Sequence, residues 1–171
     1  LTPALLLQLS HYVQRDATIT FINVGQGDCI LIELPHRQGV YMIDAGGLLR
    51  FQQEAWKERH NVYEVGTQIV VPYLKGKGIA SLDTLIISHA DADHVEVAEE
   101  VLKEMRIKEI HITPQSHIKE AMLDLLAEAK KQHVPIKEQI AGVTWQKGDA
   151  LFRYIWPTDT NYEGNNDSLV L

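Results

Sequence analysis

An apolar strand that runs straight into four potential metal ligands constrains this chain more than any other feature. Leu82 to Ser88 (LDTLIIS) reads as a strand. His89, Asp91, Asp93 and His94 follow, spaced by alanines, and an amphipathic helix is expected over Val95 to Met105. Alternate side chains at a strand end point the same way, which brings His89, Asp91 and Asp93 toward one side. The turn into the helix then swings His94 back to the same place. Imidazole and carboxylate donors suit zinc, manganese or iron. Four ligands exceed what one tetrahedral ion takes from a single segment, so His89 and Asp91 could serve one ion and Asp93 and His94 a second. A two-metal site clamps the attacking and leaving oxygens of a phosphate ester and activates water near neutral pH. The competing reading is a solvated loop in which Asp93 caps the helix. Two His and two Asp at this spacing outweigh it.

The rest of the chain supplies a frame for that loop. Ala17 to Asn23, Cys29 to Leu34 and Val40 to Ile43 read as strands of a β-meander, joined by a two-glycine turn at Val24 to Asp28 and a hairpin turn at Pro35 to Gly39. The third strand ends in Asp44-Ala45-Gly46-Gly47. Leu48 to Val65 is polar and irregular and reads as a long excursion. Thr67 to Lys75 carries a helical stripe interrupted by Pro72. β–α–β alternation follows: a strand over Ile107 to Thr113, a helix over Gln115 to His133 with Ile118, Met122, Leu125, Leu126 and Ala129 on its apolar side, and short strands at Val134 to Ile140, Val143 to Trp145 and Ala150 to Trp156. A meander followed by alternation implies an α/β (α+β) domain with helices packed outside sheets.

Composition narrows the function classes. The chain has 171 residues, 45% hydrophobic and 23% charged, which is globular and long enough for a sizeable core. Its net charge of -7 argues weakly against nucleic-acid binding. Bound divalent cations would offset part of that charge locally. Cys29 is the sole cysteine, so a multi-cysteine zinc site is excluded. A small buried hydrophobe is its expected role. No stretch reaches the ~18 apolar residues of a membrane helix. Residues 1–16 are expected to be a linker or terminal helix and residues 17–171 one domain. Ser168 to Leu171 reads as a strand cut short at a boundary.

His-x-Asp-x-Asp-His after a buried strand resembles the metal loop of the metallo-β-lactamase superfamily, His-x-His-x-Asp-His, with Asp91 at the second position. Met42 to Gly47 resembles that superfamily too. A narrower resemblance joins three motifs in order: Phe21 to Asp28 with its VGQGD core, Ser88 to His94, and Asn165-Asn166-Asp167-Ser168-Leu169-Val170-Leu171. Together they resemble the metallo-β-lactamase-like domain of ComEC-type DNA-internalisation competence proteins, over about Thr18 to Leu171.

The resemblance implies an αββα sandwich, here its first half only, with one or two divalent ions (Mn or Zn). It implies a phosphodiesterase or nuclease acting on single-stranded DNA, attached to a membrane channel in the same polypeptide. A soluble domain on the extracytoplasmic side of a bacterial cell membrane is expected. Ligand roles pass to His89, Asp91, Asp93 and His94, with Asp93 also the candidate catalytic residue. Asn165 and Asn166 stand where the superfamily has a further His ligand. Glu96 replaces a glycine of the family. The family's later TGD and HHGS segments are missing from the chain, so an incomplete site and a homodimer covering the exposed half-sandwich are expected. Two other functions fit the motifs: a metal-stabilised module that guides DNA without cutting it, and a superfamily hydrolase acting on a thioester or lactam.

Asp44 supports two readings, a residue orienting the metal loop and a turn-former. Asp28 reads first as part of a turn. His111, His117 and His133 read as structural or surface histidines.

Overall fold

The computed structural model describes residues 13–47, 65–162 and 164–171. The expected terminal segment up to residue 12 and most of the Leu48 to Val65 excursion lie outside the described residues. Three antiparallel strands open the fold: β1 (Thr18–Phe21), β2 (Ile30–Glu33) and β3 (Val40–Ile43). The second expected run of strands is broken. Leu82 to Ser88 divides into β4 (Ser81–Leu82) and β5 (Thr84–Ile86), and Ile107 to Thr113 into β6 (Arg106–Ile107) and β7 (Ile110–Ile112). β4 and β6 pair only with each other, and β5 and β7 enter the main sheet. With β8 (Ile136–Glu138) that sheet has six strands in the order β1-β2-β3-β5-β7-β8, parallel from β3 onward. β9 (Thr144–Lys147) and β10 (Ala150–Arg153) form a separate antiparallel hairpin.

Period-two alternation sorts the side chains into two cores. Leu31, Met42, Leu85, Ile110 and Ile112 join one cluster with helix residues such as Val97, Val101 and Leu125. Their sequence neighbours Tyr41, Ile43 and Ile86 point the other way, into clusters with Phe152, Tyr154 and Trp145. The sheet is therefore covered by helices on one face and by the aromatic hairpin on the other.

The helices depart from their expected bounds for local reasons. The stripe around Pro72 is helical from Gly66 to Gly76, first as a wide π-turn (Gly66–Val70) and then as α1 (Val71–Gly76). Pro72 lies at the start of the α-helical part, where its missing N–H breaks no ladder bond. Glu100 accepts hydrogen bonds from the Gly66 and Thr67 amides, which satisfies the start of this helix. α2 (Ala92–Glu104) begins three residues before the expected Val95. The helix expected over Gln115 to His133 is two 3-10 turns followed by α3 (Leu123–Lys131). Met122, Leu125 and Ala129 are buried as expected, but Ile118 is 67% exposed because it lies on the first of those turns. Ser168 to Leu171 makes a single bridge, Trp156 to Val170, rather than a strand.

His111 is buried under the hairpin. Its Nδ1 lies 2.7 Å from the Tyr154 hydroxyl and its Nε2 3.0 Å from Glu109 Oε1, with Trp145 edge-on. Desolvation lowers its pKa from 6.5 despite the attraction of Glu109. The unfolded chain therefore takes up this proton first. His111 contributes stability above the unfolded pKa, and that contribution falls away as pH drops below it. Denaturant unfolding should lose stability as pH falls below about 6.5, by up to about 1.4 kcal/mol per pH unit. The slope should be visibly shallower in His111→Gln; an unchanged slope would remove His111 as its source.

Candidate metal centre

The metal loop leaves the carboxyl end of β5, the edge at which open parallel sheets place their sites. Ser88 follows that strand and its backbone carbonyl accepts from the Leu169 amide at 2.6 Å. His89 and His94 come together with ring centroids 3.9 Å apart. Asp91 occupies the N-cap place of α2 but makes no side-chain cap bond. Its carboxylate lies 3.5 Å from His89 Nε2 instead. The cap position expected for Asp93 under the solvated-loop reading is thus held by Asp91, and Asp93 and His94 lie in the first turn of the helix. The side chains of Asp93 and Asn165 lie outside what the structure describes.

Asp44 organises these groups. It is 2% exposed and leaves β3 with φ +53°, a conformation Asp tolerates better than most residues. Its Oδ1 accepts from the Ser88 amide at 2.7 Å, and its Oδ2 from Ser88 Oγ at 2.6 Å and from His94 Nδ1 at 2.9 Å. The turn that follows needs glycine. Gly46 has φ +84°, and a Cβ there would meet Val24 Cγ2 at 2.5 Å.

For an ionised Asp44 and neutral rings, the contacts assign one tautomer to each imidazole. An ionised Asp44 has no proton, so His94 Nδ1 must donate to it. Ser88 has one hydroxyl proton and gives it to Asp44, so at the 2.9 Å contact His89 Nδ1 donates to Ser88 Oγ. Both rings then carry their lone pair on Nε2, the form in which imidazole binds a metal, oriented by a hydrogen bond at the other nitrogen. The imidazole and carboxylate chemistry of His89, Asp91 and His94, with Asp93 beside them in the chain, suits a divalent ion, but among the described residues no group of three or more His, Cys, Asp or Glu side chains is placed to hold one. Cys29 is buried against this end of the sheet. Burial, and then the charges of Asp44 and Asp28, push its thiol up to about 12, so it stays protonated and serves as core.

Asn166 is exposed, and its backbone carbonyl accepts from Trp156 Nε1. The next residue, Asp167, was not among the expected site residues. It is 3% exposed and its Oδ2 accepts from Thr113 Oγ1 at 2.9 Å. His117 faces Glu138 at the surface, and His111 belongs to the hairpin core, so neither adds to the centre.

The β-meander, the parallel strands that follow it and a His/Asp loop at the strand end place the chain in the α/β class. The superfamily model described as "Metallo-beta-lactamase superfamily" matches residues 22–163, and the chain belongs to that superfamily. It is 33% identical over 172 residues to ComE operon protein 3 of Bacillus subtilis (strain 168), an alignment covering 99% of this chain and 22% of that protein. The chain thus spans about a fifth of that relative's length. Among solved structures it is similar to the metallo-beta-lactamase SMB-1 in complex with mercaptoacetic acid, with a TM-score of 0.53 and 11% identity over 92% of this chain and 54% of that one. It is also similar to BJP-1, a subclass B3 metallo-beta-lactamase of Bradyrhizobium japonicum, with a TM-score of 0.51 and 13% identity over 86% of this chain and 54% of that one. These likenesses show the fold.

Asp44→Asn isolates the carboxylate's role, because Asn also tolerates the left-handed backbone. The amide keeps one acceptor but sets an NH2 against a donor, Ser88 or His94. Thermal unfolding of the metal-free chain should show a loss of about 1–3 kcal/mol, and calorimetric titration should show Mn²⁺ or Zn²⁺ affinity reduced about 10- to 100-fold. Unchanged affinity would separate Asp44 from the metal centre.

Proposed function

We propose that this chain belongs to a metal-dependent phosphodiester hydrolase that processes DNA during bacterial DNA uptake. The observation that carries the proposal is the pair of imidazoles 3.9 Å apart, each oriented at Nδ1 through Ser88 or Asp44. A pair oriented in this way suits metal binding at the rim of the sheet. A bound divalent ion supplies Lewis-acid polarisation of a phosphoryl oxygen and activation of water. The chain's own contribution is to hold that ion with His89, Asp91, Asp93 and His94 and to keep both imidazoles in one tautomer. Carboxylates in the set favour a harder ion such as Mn²⁺ over a purely His/Cys zinc site.

The motif resemblance to ComEC-type DNA-internalisation proteins supports DNA as the substrate, and kinship with 22% of ComE operon protein 3 supports a place in a larger protein. An open groove of about 490 Å³, lined by Gln115, Ile118, Lys119, Asn161, Tyr162 and Gly164, begins beside the Asn-rich stretch. Its mainly polar lining suits a nucleic-acid strand better than an apolar lactam. Among the described residues no helix is long and apolar enough to cross a membrane. The proposal puts the domain on the extracytoplasmic side, with the membrane channel elsewhere in the polypeptide.

The test uses a labelled single-stranded oligonucleotide with Mn²⁺ or Zn²⁺, on this chain and on a longer polypeptide that contains it. Metal-dependent cleavage is expected, abolished by EDTA and reduced at least about 100-fold by His94→Ala or Asp93→Ala. Metal and DNA binding without cleavage in either preparation would replace the hydrolase with a module that guides DNA. Absence of metal binding in both would overturn the metal centre itself.

A further inference from the structure

The carboxylate of Asp167 has an environment that its local role does not explain. It is 97% buried by exposure of 3%, yet only one of its oxygens is satisfied. Oδ2 accepts from Thr113 Oγ1, which in turn lies 2.8 Å from the Ser116 hydroxyl. Oδ1 is buried and accepts no hydrogen bond. Among the described residues no Lys, Arg or His forms an ion pair with it. Burying a carboxylate with one oxygen unmet costs free energy comparable to several ordinary hydrogen bonds. A buried orphan of this kind calls for a reason beyond packing.

Its position suggests one. Thr113 follows β7 and Ser88 follows β5, neighbouring parallel strands in which Ile86 stands opposite His111. Both residues leave the same end of the sheet. Asp167 is bonded to the first of them and, two residues later, the Leu169 amide is bonded to the second. The segment from Gly164 to Leu169 is thereby laid across the strand ends from which the metal loop springs. Asp44 is the other buried aspartate at this end of the sheet, and among the described residues it too has no Lys or Arg partner. Among the described residues the basic group on these two buried acids is His94, on Asp44, and no Lys or Arg is paired with either, so the strand ends carry a local negative potential that a divalent cation would balance.

We propose that Asp167 is a positioning residue of the metal centre. Its charge complements the bound cation, and its tether to Thr113 holds the Asn165–Asn166 turn over the site. The proposal rests on the metal-centre reading above. Asp167→Asn separates charge from tether, because Asn is isosteric and can still accept from Thr113. If Asp167 only pins the turn, the variant should melt at or above the wild-type temperature and bind Mn²⁺ equally well. If it serves the centre, the metal-free variant should melt at or above the wild-type temperature while its Mn²⁺ affinity falls about tenfold or more. Glu104→Gln, which removes an exposed charge paired with Lys75, controls for net charge and should bind as wild type does. Should Asp167→Asn fail to fold, Thr113→Val removes the one side-chain donor that the described residues give the carboxylate and is read the same way: weaker Mn²⁺ binding supports the proposal and equal binding overturns it. Wild-type protein that binds no Mn²⁺ or Zn²⁺ would overturn the metal centre and this inference together. Wild-type binding with equal binding by the variants would overturn this inference alone.

Discussion

One buried carboxylate, Asp44, ties three elements to each other. It ends β3 in a left-handed conformation and takes its backbone hydrogen bond to the Ile86 carbonyl on β5. Its side chain takes up the Ser88 amide, the Ser88 hydroxyl and the His94 ring. The strand end, the loop and the first turn of α2 are therefore joined through one side chain. A neutral residue of the same shape could satisfy part of this network but not all of it, because every partner is a donor. Through Ser88 and directly, Asp44 also links the Nδ1 atoms of both imidazoles into one hydrogen-bonded chain.

The parallel strands make this arrangement possible. They carry β5 and β7 to a common end, and their alternation sends Leu85 and Ile110 to the helices while Ile86 and His111 face the hairpin. The core is sealed on both faces by side chains that do not take part in the site. Among them, Trp145 and Phe152 stack with planes 4° apart, and Tyr41 and Tyr154 pack beside them. Loops at the sheet's end can then depart from regular geometry without weakening the layers beneath.

Much of this was legible in the residues themselves. The meander, the strand leading into the metal loop and the alternation after it follow from β-branched runs and their spacing. The family follows from three motifs in order. What was not legible depends on tertiary partners. The breaks within Leu82 to Ser88 and Ile107 to Thr113 come from β4 pairing with β6 away from the main sheet, which no local pattern records. The long helix over Gln115 to His133 reads well by period, yet its first third is two 3-10 turns. Thr113 bonds to Ser116 and to Asp167 there, and side-chain bonding of this kind competes with a helical start. Asp44 was evenly balanced between orienting and turning because both roles use an aspartate before glycines. Only its distance to residues about forty-four and fifty positions later separates them. Asp167 left no signal in its own chemistry: an aspartate after two asparagines reads as surface loop until its burial is known.

Burial divides the site into two kinds of group. Asp44 and Asp167 are inside, bonded to the backbone and hydroxyls of the strand ends and, for Asp44, to the His94 ring. Asp91 has a side chain 53% exposed, and those of His89 and His94 are 13% and 12% exposed. The acids that hold the frame are thus shielded from solvent, while the groups able to meet an ion are at the rim. This division matters energetically. Exposed charges are screened and gain little from each other, whereas buried acids act through a lower dielectric and are screened far less. The network that orients Ser88 and His94 therefore draws its strength from the packed strand ends, and of the loop groups Asp91 is the one that reaches well into solvent.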